Sequence, residues 1–102
     1  MKHAALQLLL VGYLHEDWTL DYPDFWHAVD DFIDGEPYAA SRFRAEAEEL
    51  VAECPGEPEL QQALRELGST YYPPGAGWES YRAWLLAVAD YVEKNLHKSP
   101  AA

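Results

Sequence analysis

A chain of 102 residues with a net charge of −11 and a single cysteine is long enough for one folded domain and cannot form an internal disulfide. Hydrophobic residues make up 49% of the chain and aromatic residues 14%, which excludes an intrinsically disordered protein despite the charge. The acidic balance argues against nucleic acids and anionic membranes as partners, because both attract lysine and arginine, and it favours a basic protein partner.

The first apolar segment, residues 4–14, resembles the hydrophobic region of a signal peptide, with Lys2 before it. Residues 15–18 offer no small-x-small cleavage site, and the segment is shorter than the ~20 apolar residues that span a bilayer. We therefore expect a buried helix here. Because a lone cysteine also suits a reducing compartment, the sequence predicts a cytoplasmic protein.

Hydrophobic residues recur with helical spacing in five segments, and no segment alternates with period two for long enough to form a strand. The five stripes are Leu6, Leu9, Leu10, Tyr13 and Leu14; Phe25, Ala28, Val29, Phe32 and Ile33; Phe43, Ala47, Leu50, Val51 and Cys54; Leu60, Ala63, Leu64 and Leu67; and Tyr81, Trp84, Leu85, Val88 and Val92. The sequence predicts an all-α fold: one domain over residues 1–102, a single small bundle of about five amphipathic helices, with residues 99–102 as a frayed tail.

Prolines and glycines mark the predicted helix boundaries. Pro23, Pro37 and Pro58 stand at or just before the starts of stripes, where a missing N–H costs nothing. Gly35 and Gly68 follow the ends of stripes, where the backbone often turns left-handed. The helix boundaries indicated by proline and glycine therefore agree with those indicated by the hydrophobic stripes.

One group of side chains has the spacing of a metal site. His27 and Asp31 are four residues apart on the second predicted helix, with Asp24 one turn earlier, and a transition metal could use this set. An acidic, solvent-facing side of the helix is the simpler interpretation, because no second histidine or cysteine pair converges on it. Residues 15–17 are contiguous, which favours a turn or capping role. We expect no metal and no cofactor.

Nucleophilic catalysis finds little support in the sequence. No serine stands in a G-x-S-x-G motif, and Cys54 completes an apolar stripe just before Pro55, which indicates a buried core thiol. Residues 75–77, Gly-Ala-Gly, lack the frame of a phosphate-binding loop and no lysine directly follows them. We therefore expect a protein without enzymatic activity.

Among the aromatic residues, four are not clearly committed to the core. Trp84 lies within a stripe, whereas Trp26, Tyr71, Tyr72 and Trp78 lie outside the stripes, the last three around a loop rich in proline and glycine. Exposed tyrosine and tryptophan often anchor protein interfaces. Packing within the protein and contact with a partner both fit these four residues, and we include Tyr71, Tyr72 and Trp78 among the candidate partner-binding residues.

The distribution of charge is the most informative feature. Residues 15–36 contain no lysine or arginine, and their acidic residues are Glu16, Asp17, Asp21, Asp24, Asp30, Asp31, Asp34 and Glu36. Such a run can be a solvated face only, or it can meet a positively charged partner. Helical geometry turns one set of side chains away from the second apolar stripe, and we predict that this set is exposed and contributes to binding: Asp24, His27, Asp31 and Asp34.

The chain resembles a known family. Residues 12–18, Gly-Tyr-Leu-His-Glu-Asp-Trp, followed by Asp21 and Tyr22, are similar to the opening signature of the CdiI-type immunity proteins of contact-dependent growth inhibition systems. Residues 64–68, 71–74 and 81–85 resemble the closing half of the family. Ser69 stands where the family favours cysteine. The resemblance covers nearly the whole chain, in order.

This resemblance implies a non-enzymatic inhibitor, made by a bacterium to block the toxin domain that sibling cells deliver. Such toxins are often nucleases with basic clefts, which an acidic immunity protein suits. The motif residues are then implied to be scaffold, with Trp18 and Tyr13 as a plug between helices and Asp17 and Asp21 as helix caps. The whole scaffold set is Tyr13, His15, Asp17, Trp18, Asp21, Tyr22 and Trp84.

Two other functions stay open. One is a small helical adaptor or regulatory subunit without a toxin, and the other is a metal-dependent enzyme that uses His27 and nearby carboxylates. The effect of metals and a chelator on thermal stability separates the enzyme from the inhibitor. The gene neighbourhood separates the adaptor, because an immunity gene lies just downstream of its toxin gene.

Overall fold

The structure is a computed structural model that describes residues 3–15, 17–69 and 73–96. All regular structure in these residues is helical, which confirms the predicted all-α class. The helices are α1 (Ala4–Gln7), α2 (Trp18–Asp21), α3 (Phe25–Gly35), α4 (Pro37–Glu53), α5 (Glu57–Glu66) and α6 (Tyr81–Leu96). A π-helix over Leu8–Tyr13 continues α1, and a 3-10 turn spans Pro73–Ala76.

The five predicted stripes correspond to α1 with its π-helical continuation, and to α3, α4, α5 and α6. The short helix α2 was not predicted, because none of its residues is buried and it carries no apolar stripe. None of the helices in the described ranges is both long and apolar enough to cross a membrane. Glu16, Tyr71, Tyr72 and residues 99–102 lie outside the described residues, so the expectations for them are not addressed by the structure.

The core lies where α3, α4 and α6 meet, with α1 packed against α4 and α5 against α6. Phe32 of α3 and Phe43 of α4 are fully buried, with ring centroids 5.8 Å apart. Trp84 of α6 is only 1% exposed, as its place in the fifth stripe predicts. The prediction for Cys54 was wrong in degree: this residue is half-buried, because α4 ends at Glu53 and Cys54 already lies in the following turn.

The boundaries predicted from proline and glycine are largely confirmed. Pro37 and Pro58 stand within the first two positions of α4 and α5, and Gly68 has a φ of 106°, in the left-handed region. The left-handed prediction for Gly35 was wrong. Gly35 is the last residue of α3, and a Cβ there would lie 3.0 Å from the Tyr13 hydroxyl oxygen, so close approach explains the glycine.

Carboxylates satisfy backbone N–H groups at the starts of helices, sometimes from far along the chain. Glu46 of α4 is 8% exposed and accepts hydrogen bonds from the N–H groups of Ala5 at 2.9 Å and Leu6 at 3.1 Å. Glu57 of α5 accepts one from the N–H of Tyr81 at the start of α6. A helix leaves its first N–H groups without internal partners and favours negative charge there, so these contacts attach α1 to α4 and α6 to α5.

Candidate partner-binding surface

Helix α3 presents one buried and one exposed side. Its five stripe residues are all buried, as predicted: Phe25, Ala28, Val29, Phe32 and Ile33. The four binding residues predicted at this helix are exposed, and we call this set the acidic face: Asp24, His27, Asp31 and Asp34. The structure therefore confirms that these side chains lie on the solvent side of α3.

The first member of the acidic face also begins the helix. The backbone of Asp24 is extended, and its carboxylate accepts the His27 N–H at 2.9 Å and lies 2.8 Å from the His27 ring Nδ1. The side-chain hydrogen bond with His27 is the main reason that the pKa of Asp24 is lowered. Asp24 is thus the N-cap of α3, a position at which Asp and Asn are both strongly preferred.

Tyrosine hydroxyls hold two further carboxylates of α3. Tyr22 donates to Asp31 at 2.6 Å, and Tyr91 of α6 donates to Asp30 at 2.6 Å. The hydrogen bond to Asp31 raises the pKa of Tyr22 to about 12, and burial followed by the bond to Asp30 raises the pKa of Tyr91 to about 12. Both carboxylates are therefore fixed in position by a neutral donor that leaves their charge in place.

The turn before α2 is organised by His15, as a turn role predicts. Its Nδ1 accepts the Asp17 N–H at 3.1 Å, and its Nε2 lies 3.2 Å from the Asp21 carboxylate. Asp17 occupies the N-cap position of α2, but its side chain makes no capping hydrogen bond. The implied capping role of Asp21 was wrong, because Asp21 is the last residue of α2. Asp24 caps the next helix instead.

The remaining motif residues pack against the core. Tyr13 meets Phe32 edge-on with ring centroids 5.6 Å apart, and Trp18 meets Phe25 edge-on at 6.5 Å. Both Tyr13 and Trp18 are half-buried. Each therefore contacts a buried aromatic ring of α3, which is compatible with the implied scaffold role.

Trp26 and Trp78, which periodicity left unassigned, are half-buried and lie in one aromatic cluster. The ring of Trp26 lies 4.3 Å from that of Tyr91, 4.9 Å from that of Phe25 and 6.2 Å from that of Trp78. Packing within the protein and solvent exposure are therefore combined in the same side chains. Tryptophan in such a position can contribute both to stability and to recognition.

This cluster borders an open groove of about 590 Å³, which we call the tryptophan groove. Its lining residues are Trp18, Pro23, Asp24, Phe25, Trp26, Gly77 and Trp78. The groove joins the start of α3 to the segment before α6, and the acidic face begins at its edge with Asp24. The sequence did not predict this groove, because Trp78 is about fifty residues from Trp26. The available signal was that both tryptophans lie outside the apolar stripes.

The lysine and arginine ion pairs of the described residues lie away from the acidic face. Arg44 of α4 lies 2.9 Å from Glu93 and 3.2 Å from Glu48, and Lys94 lies 3.1 Å from Asp90. The interaction with Glu93 is the main cause of a raised pKa at Arg44. Within the described residues, no lysine or arginine forms an ion pair with an acid of residues 17–36. Among the residues that the structure describes, the negative charge of that region is consequently not paired with a lysine or arginine.

The geometry of the described residues does not bring the candidate metal ligands of α3 together. Asp24 and His27 contact each other, but Asp31 accepts from Tyr22 instead of joining them. Among the described residues, no group of three or more His, Cys, Asp or Glu side chains is arranged to hold a metal ion.

Comparison with known proteins gives a family match that includes the residues of this surface. The sequence model of one protein family, described as CdiI immunity protein, matches residues 2–92 of the chain. No curated protein and no solved structure matches the chain significantly. The matched range contains α1 to α5, the tryptophan groove and most of α6.

Proposed function

Because the chain belongs to the CdiI immunity protein family, we propose that it neutralises its cognate toxin domain by covering a basic surface with the acidic face of α3. The inhibitor acts by binding alone, in the cytoplasm, without a cofactor. A toxin with a basic substrate-binding cleft, such as a nuclease, is the partner that this charge pattern fits.

One observation supports this proposal above the others: the acidic face is exposed and its charge is not neutralised by any lysine or arginine of the described residues. Like charges held together repel one another, and a basic partner removes that repulsion on binding. Exposed charges at an interface mainly accelerate association and lose their effect in salt, whereas a desolvated pair also slows dissociation.

The test replaces Asp24, Asp31 and Asp34 together by asparagine. Asparagine keeps the N-cap of α3 and can still accept the Tyr22 hydroxyl, so the fold is retained while three charges are removed. Lysine is unsuitable at Asp24 and Asp31, because it would remove these two hydrogen bonds together with the charge. A matched control changes Glu49, Glu66 and Glu93 to glutamine. It removes the same number of negative charges, one each from α4, α5 and α6.

Binding to the cognate toxin domain is then measured at low and high salt. We expect the Asp→Asn variant to bind more weakly than wild type, with the larger difference at low salt, and the Glu→Gln control to bind almost as wild type does. Equal affinities of the two triple variants at every salt concentration would show that net charge, and not the acidic face, matters. Circular dichroism of both variants confirms that they remain folded.

A further inference from the structure

We propose that the tryptophan groove is a binding site for an arginine side chain of the partner, which enters beside Asp24. The inference rests on the proposed function, in which the partner is a basic toxin domain, and it identifies the residue type by which that partner is anchored. It also extends beyond the acidic face, with which the groove shares only Asp24, since it involves the segment before α6 as well as α3.

The shape and composition of the groove suit a planar cation. Trp18, Trp26 and Trp78 are each half-buried and line the same space, with Trp26 and Trp78 inclined at 70° to one another. The groove is open to solvent, and its volume of about 590 Å³ leaves room for an arginine side chain. Indole is the aromatic ring that attracts cations most strongly, and guanidinium stacks on such rings as well as carrying a positive charge.

Charge at the groove selects a cation over other occupants. Asp24 is an acidic residue of the lining, and the described lining residues include no lysine or arginine. The hydrogen bonds from His27 fix this carboxylate and lower its pKa, so it stays ionised at neutral pH. A cation therefore finds a charge partner at the groove, whereas a purely apolar ligand would displace water from Asp24 without supplying a new polar contact.

A second copy of the chain is a poorer occupant than a basic partner. Each copy carries a net charge of −11, so association of two copies brings like charges together. Arginine is preferred to lysine because its flat, weakly hydrated head can stack on an indole and hydrogen-bond with a carboxylate at the same time.

The first experiment uses N-acetyl-arginine amide, with N-acetyl-citrulline amide as the neutral, nearly isosteric control. The indole N–H signals of the labelled protein are followed by NMR as each compound is added. We expect the signals of Trp26 and Trp78 to shift saturably with the arginine compound and about tenfold more weakly with the citrulline compound. Equal responses to the two compounds, or no saturable response, would overturn the proposal.

Two variants localise the response. Trp78→Ala removes one wall of the groove, and Asp24→Asn removes its charge while keeping the cap of α3; both should abolish or strongly weaken the arginine-induced shifts of Trp26. Tyr38→Ala is the control, because Tyr38 is 75% exposed on α4 and does not line the groove. An unchanged response in a folded Trp78→Ala or Asp24→Asn protein places the arginine elsewhere and contradicts the inference.

The cognate toxin domain then separates this inference from the proposed function. We expect wild type and Tyr38→Ala to bind it tightly and Trp78→Ala to bind about tenfold more weakly, the usual effect of removing an aromatic anchor. If Trp78→Ala binds as wild type does, the groove is not the anchor but the immunity function stands. If the wild type does not bind the toxin while the arginine compound still occupies the groove, the proposed function fails and the site remains.

Discussion

Tyr22, in the connection between α2 and α3, donates a 2.6 Å hydrogen bond to Asp31 within the acidic face. This bond raises the pKa of Tyr22 to about 12, from an ordinary value of 10.0. A group whose pKa is higher in the folded than in the unfolded protein contributes stability at pH values below its unfolded-state pKa. This contribution is lost as the pH rises through the folded-state pKa. We therefore expect the free energy of unfolding to fall between pH 10 and pH 12.

Tyr91 should contribute to the loss of stability in the same pH range, because its pKa is also raised to about 12. Denaturant melts across this pH range measure the effect, with Tyr22→Phe and Tyr91→Phe as matched variants that lack the titrating hydroxyl. Each variant should be less stable than wild type at neutral pH and should lose less stability on raising the pH. Parallel curves for wild type and Tyr22→Phe would mean that the bond to Asp31 does not hold in solution.

Trp84 and Trp18 should differ in their effect on stability. Trp84 is 1% exposed, so we expect Trp84→Ala to reduce the free energy of unfolding by about 3–5 kcal/mol. Trp18 is half-buried, so Trp18→Ala should reduce it by a smaller amount, about 1–2 kcal/mol. Leu20→Ala serves as the exposed control and should stay within about 0.5 kcal/mol of wild type, since Leu20 is 82% exposed. Denaturant unfolding measures the stability of all three variants. A Trp18→Ala unfolding midpoint equal to that of wild type would show that Trp18 is not a scaffold residue.

Glu46 should anchor the N-terminal helix. Replacing it by alanine leaves the buried N–H groups of Ala5 and Leu6 without their acceptor, which we expect to destabilise the fold by about 1–3 kcal/mol. Glutamine keeps one acceptor oxygen and should have a smaller effect. Hydrogen exchange provides the specific readout: the amides of Ala5 and Leu6 should exchange faster in Glu46→Ala, whereas amides of α6 should change little. Uniform acceleration throughout the chain would indicate a global effect instead.

Two glycines should respond differently to alanine. Gly68 has a φ of 106° and its Cβ would lie 2.6 Å from Val11, so Gly68→Ala should destabilise by about 1–3 kcal/mol. Gly35 is helical, and only the Tyr13 hydroxyl obstructs a Cβ there. Gly35→Ala should therefore stabilise the protein more in a Tyr13→Phe background than in wild type, by up to about 1 kcal/mol. A thermal double-mutant cycle measures this difference, and strict additivity would show that Tyr13 is not the obstacle.

Helical periodicity was sufficient to predict which side of each long helix is buried. The stripe of α3 from Phe25 to Ile33 is buried and Asp31 and Asp34 are exposed, because the 3.6-residue repeat alone determines these orientations once the helix packs on a core. Periodicity could not predict α2, which has no buried side.

Contacts between distant residues could not be predicted in the same way. From the sequence alone, Glu46 would be expected at the surface. In the structure it is buried beneath the start of α1, some forty residues earlier in the chain. The tryptophan groove likewise depends on how the segment before α6 folds back onto α3, which brings Trp78 beside Trp26. Local spacing contains no information on such approaches, since they depend on the packing of whole helices.

The most direct test of the central claim is the growth of cells that produce the cognate toxin domain together with this chain. Cells with wild-type protein or with the Glu49, Glu66 and Glu93 to glutamine control should grow, whereas cells with the Asp24, Asp31 and Asp34 to asparagine variant should be inhibited at equal levels of folded protein. Cells that die despite abundant, folded wild-type protein would contradict the proposed immunity function itself. Full protection by the Asp→Asn variant would contradict the role of the acidic face.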